Sequence, residues 1–291
     1  MPFEINSTDK FFYMVHNMND SELVIKWIKN LQNEICRAYE AIEMEYQGKG
    51  DAGKFEKKQW DREGGGGGEM RVMRGRVFEK VGVNVSTVFG KLSPEFMKEI
   101  PGTETSPDFF ACGISLVTHM RSPMIPTIHM NTRYMKTSRH WFGGGIDLTP
   151  TVEYEDDTYY FHGELKKMCD NHDKTYYKKF KKECDEYFYI KHWKEPRGVG
   201  GIFYDKLNTG SFEKDFGFMK NVGRTFLEIS PALVRKRLYE KWTGKEKEMQ
   251  MKKRAKYAEF NLAYDRGTRF GFMTGGNPEA ILVSLPPVAQ W

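Results

Sequence analysis

The 291 residues include only four cysteines, Cys36, Cys112, Cys169 and Cys184. None forms a CxxC pair, so the spacing supports neither a zinc knuckle nor a disulfide framework, and reduced thiols in a cytoplasmic protein are the simpler reading. Long apolar runs are missing as well. No stretch of about 18 apolar residues occurs, so no membrane span is expected. The opening "MPFEINSTDK" has no basic region leading into an apolar one, and no secretory signal is read there. Nor is charge one-sided: 45 Lys and Arg stand against 40 Asp and Glu, a formal net charge of +5. The Lys-rich stretches "YYKKFKKECDE" and "MKKRAKY" carry interspersed acids or sit at helical spacing. They read as solvated helix faces, and no nucleic-acid partner is expected.

Aromatics, by contrast, are in surplus at 14% of the chain, enough to serve a core, an interface or a flat ligand. Val24, Trp27, Ile28, Leu31, Ile35, Ala38 and Ile42 recur at three- and four-residue steps behind Asp20 and Ser21, which predicts a long packing helix near 21–46. A polar segment follows, with five consecutive glycines at 64–68. Ordering five glycines costs much chain entropy, so the stretch about 61–69 reads as a Gly-rich loop serving as a flexible linker, or alternatively as a lid whose backbone approaches a ligand. It lacks the GK[ST] ending of a phosphate loop.

From Arg71 the pattern changes to period two with β-branched residues: "RVMRGRVFEKVGVNVSTVFG", "FFACGISLVTHM", "PTIHMNTRYMKT" and "HWFGGGIDLTP" predict consecutive strands of an antiparallel sheet. Helices are expected over about 156–171, 174–193, 212–242 and 246–256, with "GIFYDKL" as a strand among them. The closing segments "YAEFNLAYDRG", "TRFGFM" and "EAILVSLPP" read as strands. No repeat and no further linker is evident. The expected fold is α+β, a single domain over 1–291 with a large, mainly antiparallel β-sheet flanked by helices on both faces.

One stretch, "SLVTHMRSPMIPTIHMNTR", concentrates polar groups on strand-like segments. If 127–135 is a strand, His129, Asn131 and Arg133 share one side, and Ile128, Met130, Thr132 and Tyr134 the other. Ser115 and His119 share a parity on the preceding strand, and an antiparallel pairing would set them beside His129 and Arg133. Such a face is either solvated or, if covered, a site, because polar groups are costly to bury unless they bond each other or a ligand. Next, Gly143–Gly145 remove side chains just before Asp147. That would let a bulky ligand approach a carboxylate, or it marks a bulge with Asp147 capping a turn. His162 and His192 fall on expected helices, without HxH or HxxxH spacing that would argue for a metal.

The segments "EGGGGGEMRVMRGRVFEKVGVNVSTVFG", "GISLVTHMRSPMIPTIHMNTRY", "WFGGGIDLTP", "CDEYFYIKHWKEPRGVGGIFYD" and "EFNLAYDRGTRFGFMTGGNPEAILVSLPP", in this order, resemble the oxygen-dependent coproporphyrinogen III oxidases of haem synthesis. The resemblance implies oxidative decarboxylation of the propionates on rings A and B of coproporphyrinogen III to vinyl groups. Molecular oxygen would be the co-substrate and no organic cofactor would take part. It also implies a homodimer, with the C-terminal part, 257–291, at the contact. Carried over residue by residue, Ser115 matches a substrate contact, His129 the proton donor, and Asn131, Thr132 and Arg133 a substrate-binding tripeptide. Asp147 matches a carboxylate proposed to engage the pyrrole nitrogens. Gly275, Gly276 and Asn277 match a substrate loop in which arginine often stands where Asn277 does, so no charge contact carries over there. His119, His129, His162 and His192 match histidines assigned to a divalent metal in bacterial members. The chemistry suits the polar face: Arg133 can take a propionate bidentately and His129 can exchange a proton, which makes His129, Asp147 and Arg133 the catalytic candidates. A non-enzymatic tetrapyrrole carrier and a metal-dependent hydrolase are the rival expectations.

Overall fold

Period-two alternation builds the sheet at the expected places. The computed structural model describes residues 19–291, and the reading of the N-terminal stretch lies outside them. Strands β1 (Glu56–Asp61), β2 (Gly66–Met73), β3 (Phe78–Lys91), β4 (Asp108–Met120), β5 (Thr127–Lys136) and β6 (His140–Thr149) follow one another in chain order. A small hairpin of β7 (Tyr189–Ile190) and β8 (Glu195–Pro196) stands apart, and β9 (Gly200–Leu207) closes the large sheet beside β6. Every neighbouring pair in the seven-stranded order β1-β2-β3-β4-β5-β6-β9 is antiparallel.

One face of the sheet is covered by long helices. Helix α1 (Asp20–Glu45) begins with a reciprocal cap in which the Asn19 side chain and Glu22 satisfy each other's backbone N–H groups. Its stripe Val24, Ile28, Leu31, Ile35 and Ile42 is at most 3% exposed, and each such side chain contributes roughly 1.5–3 kcal/mol of burial. The stripe packs on β3, β4 and α5 (Phe212–Arg237), while α3 (Glu155–Asp170) completes the layer and α4 (Tyr176–Tyr187) packs along the edge strand β9; a one-turn helix, Pro94–Met97, is α2. Ile128, Met130 and Tyr134 of β5 point into this layer, and the alternating burial along β5 turns His129, Asn131 and Arg133 to the opposite face.

That opposite face is covered by the C-terminal part, and here and at two other places the structure corrects an expectation. The segments read as terminal strands are α6 (Gly244–Ala263), α7 (Arg266–Met273), α8 (Pro278–Ile281) and a 3₁₀ turn, Leu282–Ser284. Their apolar groups are too short to separate the two periods, and capping decides. The Asp265 side chain accepts from Thr268 N–H, and the Asn277 side chain accepts from Ala280 N–H. The helix expected to run to 193 ends at Tyr187, and His192 lies in the turn between β7 and β8 rather than on a helix. The glycine run is likewise no linker. Arg62–Gly65 form the turn of the β1–β2 hairpin, and Gly66–Gly68 are paired residues of β2. Gly65 and Gly66 take φ of +113° and +84°, a region that glycine enters without strain.

Candidate active site

Between the polar face of the sheet and the C-terminal helices lies a cavity of about 430 Å³. Its floor is the strand register. Ser115 pairs with Asn131, Gly113 with Arg133, and across the next ladder His129 pairs with Asp147, Asn131 with Gly145 and Arg133 with Gly143. Ser115, His129, Asn131 and Arg133 therefore meet on one wall of the cavity, with Gly276 and Asn277 on its far side. Gly275 turns the chain there with φ +71°.

Thr132, between them in sequence, is turned away. Its hydroxyl is 2.8 Å from the Tyr204 hydroxyl and fully buried under the helices. His119 is beyond the paired part of β5; its Nε2–H donates to Ser284 O at 2.8 Å and its ring stands edge-on to Tyr257. Gly143 serves Arg133 rather than a ligand. A Cβ there would lie 2.9 Å from Nη2 of Arg133, so the missing side chain is what lets the guanidinium lie across β6 and donate to Asp205 at 2.7 Å.

Asp147 is the centre of the charge arrangement, although it does not line the cavity. One oxygen accepts from His129 Nδ1–H at 2.6 Å and the other from Arg197 Nη2 at 2.6 Å, with only 3% of the residue exposed. Burial pushes its carboxyl up; Arg197 first and then His129 more than offset this, and the carboxyl is held below its ordinary value. Arg197 is itself buried between aromatic rings, its guanidinium 3.9 Å from the Phe188 centroid, 4.5 Å from Tyr257 and 4.9 Å from Phe260. Its Nη1 donates to Asn261 at 3.2 Å. With Nδ1–H given to an ionised carboxylate, Nε2 of His129 is the acceptor nitrogen, 3.3 Å from Asn131 Nδ2.

Arg197 is not among the site residues that the sequence suggested; it stands there only inside the segment "CDEYFYIKHWKEPRGVGGIFYD". An arginine between Pro196 and Gly198, directly after a two-residue strand, is the one signal, and it is weak, because its charge partner Asp147 and its acceptor Asn261 are far from it in the chain.

The four histidines carried over as metal ligands do not converge. Both ring nitrogens of His129 are engaged with Asp147 and Asn131. Those of His162 meet Val199 O and the Tyr177 hydroxyl, and those of His192 meet the Tyr264 hydroxyl and Glu259. Only Nδ1 of His119 is buried without a partner. Among the described residues no group of three or more His, Cys, Asp or Glu is gathered as a metal site, so the set does not fit one shared cation.

The coproporphyrinogen III oxidase family model matches residues 23–291. The chain belongs to this family. An oxygen-dependent coproporphyrinogen-III oxidase of Rickettsia rickettsii (strain Sheila Smith) is 58% identical over 277 residues, covering 94% of this chain and 99% of the relative. The protein of the same description from Rickettsia bellii (strain RML369-C) is 57% identical over 277 residues with the same coverage. That of Rickettsia akari (strain Hartford) is 56% identical over 276 residues. For a coproporphyrinogen III oxidase, the cavity's mixture of aromatic wall, polar strand and arginines is the chemistry a large apolar ring with carboxylate arms requires.

Proposed function

We propose that this protein converts coproporphyrinogen III to protoporphyrinogen IX, with molecular oxygen as the oxidant. The observation that carries the reading is the covered strand face, on which His129, Asn131 and Arg133 meet Ser115 in a cavity that the C-terminal helices close. In each of two rounds one propionate, –CH2–CH2–COOH, and one O2 give a vinyl group, CO2 and H2O2. The substrate loses two electrons and two hydrogens, and oxygen takes both. Arg133 offers its guanidinium to a propionate carboxylate, sharing it with Asp205. His129 Nε2 takes or returns the proton of the reacting arm. Asp147 has both oxygens occupied by His129 and Arg197. Its part is therefore to hold the His129 tautomer and ring from behind, in place of a contact to the pyrrole nitrogens.

The same reading places the protein in the reducing cytoplasm, in keeping with four buried free cysteines. It also makes the protein a homodimer through 257–291, where Leu262, Phe272, Met273, Val288 and Trp291 are exposed. His129→Gln separates an enzyme from a carrier. The enzyme keeps its affinity for coproporphyrin III within about threefold and loses about 10²–10⁴ in kcat. Equal turnover in variant and wild type would remove His129 from the chemistry.

A further inference from the structure

Six cationic side chains line the cavity: Arg62, Arg133, Arg197, Lys206, Arg266 and Arg269. Four are opposed by carboxylates. Arg133 is 2.7 Å and Arg266 is 3.5 Å from Asp205, Arg197 is 2.6 Å from Asp147, and Arg269 is 3.5 Å from Glu99. Lys206 is exposed at the edge. Arg62 is half-buried, and among the described residues no carboxylate faces it.

What holds Arg62 is a set of carbonyls. Nε donates to Thr274 O at 2.8 Å, and Nη1 to Phe89 O at 2.8 Å and Gly65 O at 3.2 Å. Carbonyl dipoles orient a guanidinium without cancelling its charge, so the group is fixed in place and still a full cation. Its Nη2 has no protein acceptor among the described residues. Gly64 keeps that nitrogen uncovered, since a Cβ there would lie 2.6 Å from it. The guanidinium sits by Phe89 of β3 and 5.6 Å from the Phe109 ring of β4, whereas Arg133 lies over Gly143 of β6. Three strand spacings, about 14 Å, separate β3 from β6.

We propose that Arg62 is a second carboxylate-binding subsite of the cavity, which takes a propionate of the tetrapyrrole on the side away from Arg133. The inference rests on the functional reading above and adds a residue to it. A substrate with a propionate on every ring presents carboxylates around its whole rim. A cation fixed by the β1–β2 turn and by Thr274 holds one non-reacting arm while another stands at His129. On this view the glycine run has a use of its own, which is to shape the turn around the Arg62 side chain.

Two substitutions distinguish charge from scaffolding. Arg62→Gln raises KM for coproporphyrinogen III about tenfold, the scale of one charge-assisted hydrogen bond, with kcat within about threefold. Arg62→Lys keeps the charge but cannot reproduce the fork, and it returns KM to within about threefold of wild type. A KM unchanged in Arg62→Gln, or as high in Arg62→Lys as in Arg62→Gln, overturns the subsite. Absence of turnover in the wild type would instead strike the functional reading, and the subsite is then tested by affinity for coproporphyrin III, read as quenching of protein fluorescence, with the same expected order. If Arg62→Gln does not fold, the unaltered protein gives the result. Coproporphyrin III should protect Arg62 from modification by phenylglyoxal, located by peptide mass, and modification at an equal rate with and without it overturns the proposal.

Discussion

Burial pushes the His119 imidazole from its ordinary 6.5 down to about 3; the hydrogen bond to Ser284 opposes this, and the nearby cations Arg254, Lys80 and Arg197 add to it. The group is neutral in the fold, and its sign follows from linkage. Above 6.5 neither state takes a proton there. As pH falls from 6.5 toward 3 the unfolded chain takes one that the folded chain refuses, and stability drops by roughly 1.4 kcal/mol per pH unit from this group. Urea melts of wild type and His119→Gln over about pH 5 to 7 should show the smaller slope in the variant, and equal slopes would contradict the assignment. Arg197 and Asp147 offer a second test at this scale. Removing either partner strands a buried charge, so Arg197→Met should cost about 3–5 kcal/mol and should add to Asp147→Asn by much less than the sum. Additive losses in a double-mutant cycle would mean the two are not coupled. Nothing in the residues near Arg197 reveals this pair. The parity of β5 found His129, Asn131 and Arg133, because alternation is local, whereas a partner brought in from another element has no local mark.

Among the elements, the β1–β2 hairpin departs furthest from what composition suggests. Five glycines read as slack chain, yet a Cβ at Gly68 would lie 2.1 Å from Val85 O and 2.6 Å from the Trp60 ring. Close approach of strand and indole, not flexibility, is what the glycines provide there. Gly68→Ala should therefore cost about 1–3 kcal/mol in denaturant melts, where a mobile segment would tolerate it within error. The strands from Arg71 to Thr149 were legible because each repeats period two over many residues. The C-terminal helices were not: in "YAEFNLAYDRG" the buried Tyr257, Phe260 and Asn261 fit a helical stripe, but the run is short, and the Asp265 and Asn277 caps that resolve the question are single residues. Their identity as helices matters for the site, since Tyr257 and Asn261 reach the cavity from one turn of α6.

For the whole molecule, layer order explains why the polar face of β5 is a site and not a solvated surface: helices α1, α3 and α5 take one side of the sheet, α4 packs along the edge strand β9 with Tyr187 reaching the cavity, and the C-terminal elements cover the other side while leaving room between. No helix among the described residues is long and apolar enough to cross a membrane. The exposed apolar groups gathered in 257–291 lead us to expect twice the monomer mass in sedimentation equilibrium, and a shift to monomer when Trp291 and Leu262 are replaced by serine. A monomer in the unaltered protein would contradict the proposed contact. The reaction itself is decided by turnover of coproporphyrinogen III with purified, chelator-treated protein, in paired aerobic and strictly anaerobic samples, with porphyrin fluorescence read after oxidation. We expect protoporphyrin with oxygen and none without it. Product in the anaerobic sample, or none in either sample after metal is added back, would refute the proposed reaction.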